Sequence, residues 1–193
     1  MIWMVLACSR GEPTVVAKDV ELVPSTSLGR DRKRMNIDQV NASIRRVTGG
    51  SGWTEASDTG EVDLFEELSG TLGVPDYLSA TDEDTTPGLL FQKFLDDAAT
   101  SACADLVDRE AAGGSDNVFL VDATLEDSPG SQAVEDNLRR ALLRFHGTSV
   151  EAGSEELTPW TTLVEDVAGV SGMHGAWRVT CVALITHPDF YTY

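Results

Sequence analysis

Apolar residues recur along most of this chain at helical spacing. Ile37, Val40, Ile44 and Val47 fall on one face of a 3.6-residue period, the pattern of a helix with one side in a core. Asn36 and Gln39 form a capping-box pair ahead of that face, Met35 can staple onto Val40, and Gly49-Gly50 ends the run. A first helix is therefore predicted from Asn36. A second is predicted from Asp58 or Thr59, through Phe65, Leu68 and Leu72, to Gly73. A third opens with Thr86-Pro87, an N-cap followed by proline at the first helical position. It carries Phe91, Phe94, Leu95, Ala98, Ala102 and Leu106 toward Gly113-Gly114.

Three more helices complete the chain. From about Ser131, residues Val134, Leu138, Ala141, Leu142 and Phe145 form one stripe. Glu135 with Arg139 and Asp136 with Arg140 are spaced as acid-to-base pairs on its flank. Thr158-Pro159 starts another helix, with Trp160, Leu163, Val164 and Val167 inward. The last spans about Ala176 to Ile185, buries Trp177, Cys181, Leu184 and Ile185, and ends before Pro188. Strand signals are confined to "VFLV" at 118–121 and the loosely alternating "TVVAKDVELV" at 14–23. The pattern predicts a mainly α fold: a single irregular bundle of about six helices, with an extended N-terminal arm and at most a minor strand pair.

Charge divides the chain. Residues 1–46 hold 8 Lys/Arg against 5 Asp/Glu, and residues 47–193 hold 6 against 27, within a net charge of −18. An arm near +3 thus precedes a body near −21. Such a body repels phosphate backbones, which argues against nucleic acid as a partner and favours basic proteins, metal cations or a crowded extracytoplasmic setting, without choosing among them. With 193 residues and 41% hydrophobic content, the chain supports one core. No run reaches the roughly 18 apolar residues of a membrane-spanning helix.

The opening "MIWMVLACSRGEP" has two readings. It is either a short buried strand with an ordinary cysteine, or the end of a secretion signal. Val5-Leu6-Ala7-Cys8 resembles the lipobox of bacterial lipoproteins, in which the cysteine is acylated, and Ser9 resembles the residue that directs such proteins to the outer membrane. The polar, turn-rich stretch from Ser9 to Pro13 favours the lipobox. No basic residue precedes the apolar stretch, so the start is expected to be misplaced or the sequence a fragment. Three parts follow: residues 1–8 as a truncated signal ending in Cys8, 9–34 as a tether, and 35–193 as an acidic helical domain. The tether could reach on the order of 80 Å when extended. Its Arg30, Arg32, Lys33 and Arg34 either contact an anionic surface or form a solvated approach to the first helix.

With Cys8 lipidated, Cys103 and Cys181 remain as an even pair, which an exported domain can join in a disulfide. Two separate buried thiols are the alternative. Catalytic chemistry has little to stand on. The chain lacks HExxH, CxxC, CxxCH, GxSxG and SxxK motifs and any Gly-rich phosphate loop. His146, His174 and His187 each lie beside a helix end or a Gly/Pro turn, and His146 is expected to cap the carbonyls of its own helix. The acidic stretches "DTGEVDLFEE" and "TDEDTTPG" do not have EF-hand spacing, and carboxylates in a helix's first turn account for them. No metal and no cofactor are expected.

The segments "RKRMNIDQVNASIRRVTG", "TLGVPDY", "FQKFLDDAATSACADLVDRE" and "GAWRVTCVALITHPDFYTY" resemble the helical domains of uncharacterised exported proteins of planctomycetes and myxobacteria, often found beside c-type cytochromes. The resemblance covers residues 30–193. It implies an extracytoplasmic helical domain that serves redox or assembly complexes, with no catalytic residues to carry over. This chain has no haem-attachment motif of its own, a departure that puts electron carrying in doubt. The expected function is a non-enzymatic, lipid-anchored protein on the periplasmic side of the outer membrane, binding or scaffolding a basic extracytoplasmic protein. The alternatives are an enzyme or accessory subunit of extracellular breakdown using carboxylates and a histidine, or a structural envelope lipoprotein.

Overall fold

The structure is a computed structural model and describes residues 33–58, 60–71, 78, 85, 88–113 and 116–193. Cys8, Arg30, Arg32, the 14–23 segment, Thr86-Pro87 and most of "TDEDTTPG" lie outside the described residues. About 60% of the described residues are helical, in six helices beside one two-stranded sheet.

Helix α1 (Ile37–Val47) forms where its pattern predicts. Asn36 accepts from Gln39 N at 2.8 Å and the Gln39 side chain accepts from Asn36 N at 3.0 Å, which satisfies two of the four free N–H groups of a helix start. Ile37, Val40, Ile44 and Val47 are buried. The carbonyls at its far end are met by side chains from elsewhere. Arg144 donates to Val47 O at 2.6 Å and Arg46 O at 2.9 Å, and Arg109 donates to Thr48 O at 2.8 Å.

The next element departs from its prediction. Strands β1 (Thr54–Ser57) and β2 (Gly60–Asp63) pair antiparallel, Thr54 opposite Asp63 and Ser57 opposite Gly60. Among the described residues of that stretch α2 (Leu64–Leu68) alone is helical, capped by Asp63, which accepts from Phe65 N at 2.9 Å, while Leu72 and Gly73 lie outside the described residues. Asp58 follows β1 directly as a turn residue and Gly60 opens β2, so this turn chemistry serves a hairpin and not a helix start, and Thr59 lies outside the described residues.

Helix α3 (Leu89–Ala111) starts behind Gly88 and buries Phe91, Leu95, Ala98, Ala102 and Leu106, the predicted face. Helix α4 (Gln132–His146) starts behind Ser131, which accepts from Val134 N. Helix α5 (Thr158–Thr186) contains the two helices predicted there, divided at Gly172, whose φ of 73° and ψ of 176° no helix contains. Most of its buried residues lie on the second part: Ala176, Trp177, Thr180, Cys181, Leu184 and Ile185. That part packs along α3, the most extensive helix pairing, and Cys103 and Cys181 are joined there in a disulfide with their Cα atoms 5.7 Å apart. Helix α6 (Pro188–Tyr191) follows at once.

"VFLV" is not a strand. The buried Glu110 carboxylate accepts from Val118 N, Phe119 N and Leu120 N at 2.7, 3.1 and 2.6 Å. Asn137 Oδ1 accepts from Val121 N and Asp122 N at 2.9 and 3.0 Å. Side chains of α3 and α4 thus take the hydrogen bonds that a strand neighbour would supply, and the segment bends around them. This sends Phe119 into the core against Trp177, ring centroids 5.6 Å apart.

The chain's end clasps residues 33–35. Met35 N donates to Tyr191 O at 2.7 Å, and Lys33 and Tyr193 exchange backbone bonds at 3.2 and 3.0 Å. Arg34 is therefore buried, with its guanidinium 4.4 Å above the Phe91 ring. It belongs to the domain and not to a solvated basic run, because cation–π contact and a bond to Met35 O replace its water.

Candidate functional site

The six basic side chains after residue 46 are all engaged. Lys93 pairs with Asp97, Arg109 with Asp105, Arg139 with Asp136, Arg140 with Asp122 and Arg178 with Asp108, while Arg144 caps α1. The flank of α4 does not form the pairs its spacing predicts. Arg140 forks onto Asp122 at 2.5 and 3.0 Å, and Glu135 accepts from Gly153 N at 2.8 Å. Loops folded back on α4 offer bidentate and backbone partners that an exposed i,i+4 pair cannot match. Carboxylates after residue 46 therefore greatly outnumber the cations of the same stretch, all six of which are already engaged.

One pocket, of about 250 Å³, gathers titratable and aromatic groups where α4, α5 and α6 meet. The α4 stripe of Leu138, Leu142 and Phe145 leaves His146, the last residue of the helix, half-buried beside the end of α5. His146 Nε2 lies 2.8 Å from Leu184 O. A carbonyl only accepts, so this nitrogen carries the proton and Nδ1 is bare in the neutral ring. His146 therefore binds a carbonyl of α5 and not, as predicted, of its own helix: Gly147 N already closes that end on Leu143 O.

His187 joins α5 to α6, and its Nδ1 accepts from Asp189 N at 3.2 Å. Its ring stacks on His146, with centroids 4.9 Å apart and an interplanar angle of 27°. Trp160, from the first turn of α5, touches both at 5.7 and 6.0 Å. Buried Leu142 and Val150 wall the cavity, and Glu156 and Asp189 line it with negative charge. Among the described residues Glu156 has no ion-pair or hydrogen-bond partner. Burial pushes the His146 pKa below the ordinary imidazole value of 6.5, and His187 adds to this, against the opposing bond to Leu184 O.

This arrangement places two stacked imidazoles beside a negative rim. His187 Nδ1 already accepts from Asp189 N and His146 Nε2 is turned to Leu184 O, which leaves His146 Nδ1 as the bare ring nitrogen of the pair, one donor where a metal needs several. Among the described residues no three His, Cys, Asp or Glu side chains gather as a metal group. Thr148 lines the cavity without a hydrogen bond to either imidazole, so this cavity does not pair a hydroxyl nucleophile with a histidine base.

The other singled-out residues lie apart. His174 Nε2 is 2.8 Å from Asp108 Oδ1, whose second oxygen takes Arg178 at 2.7 Å, and this trio bridges α3 and α5. Cys103 and Cys181 are fully buried in their disulfide, closed to redox partners and structural in position. Sequence reading did not pair His146 with His187. Both sit at helix ends beside Gly147 and Pro188, a shared signal that marks a helix terminus but not which termini meet. No protein-family profile, curated protein or solved structure matches this chain.

Proposed function

We propose that this is a non-enzymatic, lipid-anchored protein of the bacterial cell envelope, held on the periplasmic side of the outer membrane through Cys8, that binds or scaffolds basic partner proteins. A cytochrome-containing complex is the partner that its family resemblance suggests. The observation that carries the proposal is the charge balance of the body: 6 cations against 27 carboxylates after residue 46, with all six cations engaged internally. Such a surface steers positively charged proteins and repels acidic ones. The Cys103–Cys181 disulfide supports an oxidising compartment. No helix among the described residues is long and apolar enough to cross a membrane, so the lipid would supply the attachment.

Two measurements test this. Binding to a basic partner captured from envelope extracts should weaken steeply between about 0.01 M and 0.15 M salt, as the Debye length falls from about 30 Å to about 8 Å. An affinity indifferent to salt overturns the electrostatic reading. Intact mass of the native protein should show an acylated Cys8 as its first residue, and a native chain that keeps Met1 and three free thiols rules out export. An enzyme of extracellular breakdown is the second reading, favoured by the bare His146 Nδ1 beside carboxylates. Stoichiometric metal in the purified protein would support it.

A further inference from the structure

Building on the acidic-binding reading, we infer that the cavity floored by His146, His187 and Trp160 is a receptor for a single arginine side chain of the basic partner. Three observations combine. Three aromatic rings line it, with centroids 4.9 to 6.0 Å from one another. Its negative charge comes from Glu156 and Asp189, and no Lys or Arg lines it. Its size, about 250 Å³, takes one side chain and not a folded segment.

An anion meets two carboxylates there, and a metal meets one bare imidazole nitrogen, His146 Nδ1, because His187 Nδ1 already accepts from Asp189 N. A cation that also stacks satisfies both halves of the cavity. Guanidinium does so with its plane on a ring and its N–H fork toward a carboxylate. Lysine's ammonium is more strongly hydrated and cannot stack as a plane. The rings lie against one another, with no gap between them for a guest, so the guanidinium covers the outer face of the cluster and does not enter a cage. Leu142 and Val150 receive the methylene stem.

The test titrates the full chain at low salt with acetylated, amidated tetra-arginine and tetra-lysine peptides, following the histidine ring signals by NMR. Tetra-arginine is expected to shift His146 and His187 saturably, to leave His174 unmoved, and to bind more tightly than tetra-lysine. Trp160→Leu should weaken tetra-arginine binding about tenfold, and Glu156→Gln, at an exposed position that does not endanger the fold, about threefold. Equal binding of both peptides, with shifts scattered over the surface and both variants unchanged, overturns the arginine receptor while leaving the acidic-surface reading intact. Binding of neither peptide overturns both.

Discussion

Glu110 concentrates more structural consequence than any other single carboxylate here, because one buried group satisfies three consecutive backbone donors. Glu110→Ala would leave Phe119 N and Leu120 N buried without acceptors, and a lost buried partner costs about 1–3 kcal/mol. Urea unfolding should register a loss of about 3 kcal/mol for this variant and a smaller one for Glu110→Gln. An effect of less than about 1 kcal/mol would mean that Phe119 alone holds the segment in place. His146 gives a pH signature. Its pKa is lowered in the folded protein, so the unfolded chain binds the proton more readily. The associated stability is complete above about pH 6.5 and is lost as pH falls from there through the folded-state value. Unfolding midpoints should therefore drop between about pH 7 and pH 5 more in the wild type than in His146→Gln. Asp63 acts at lower pH: burial raises its pKa, but bonds from Arg45, Asn41 and Phe65 N together hold it below 3.8.

At the scale of the element, α5 shows how a glycine sets a boundary. Gly172 has φ 73° and ψ 176°, a region open essentially to glycine alone. Gly175 is constrained for another reason, since a Cβ there would come within 2.7 Å of Ser171 Cβ across the break. Gly175→Ala should destabilise by about 1–3 kcal/mol through overpacking. Gly169→Ala, where an added Cβ meets nothing within 4 Å, should stabilise by about 0.5–1 kcal/mol as an ordinary helix substitution. Thermal unfolding of the two variants separates the effects, and equal shifts would contradict the geometry. The hairpin shows the opposite case. "TEAS" and "GEVD" carry almost no apolar alternation, so no period of two was visible. Trp53 fixes this region by packing on Phe65 and Phe94, with centroids 5.4 and 5.5 Å away, a contact among residues far apart in sequence.

For the whole molecule, the disulfide closes a separation of 78 residues, for which the chain-entropy account gives at most about 4.5 kcal/mol. The Cys103→Ser, Cys181→Ser double variant should lose several kcal/mol in urea unfolding, and wild type in reductant should lose a comparable amount. An unchanged midpoint would make the bond incidental. The existence of α1, α3, α4 and the two parts of α5, the start residues of α1 and α4, their buried faces and the charge surplus follow from sequence alone, whereas the hairpin before α2 and the short α6 do not. Capping boxes, 3.6-residue stripes and summed charge are properties of contiguous chain, and they survive any arrangement of the helices. Which distant groups meet is another matter. Cysteine arithmetic pointed to a Cys103–Cys181 bond, but whether the two thiols meet is decided by the packing of α3 on α5. "VFLV" had the composition of a strand, but Glu110 and Asn137 reached its N–H groups first. Nothing local distinguishes His146 and His187 from two helix caps. Their stacking with Trp160 arises only because three helix ends converge, and side-chain neighbours at a convergence are set by tertiary packing.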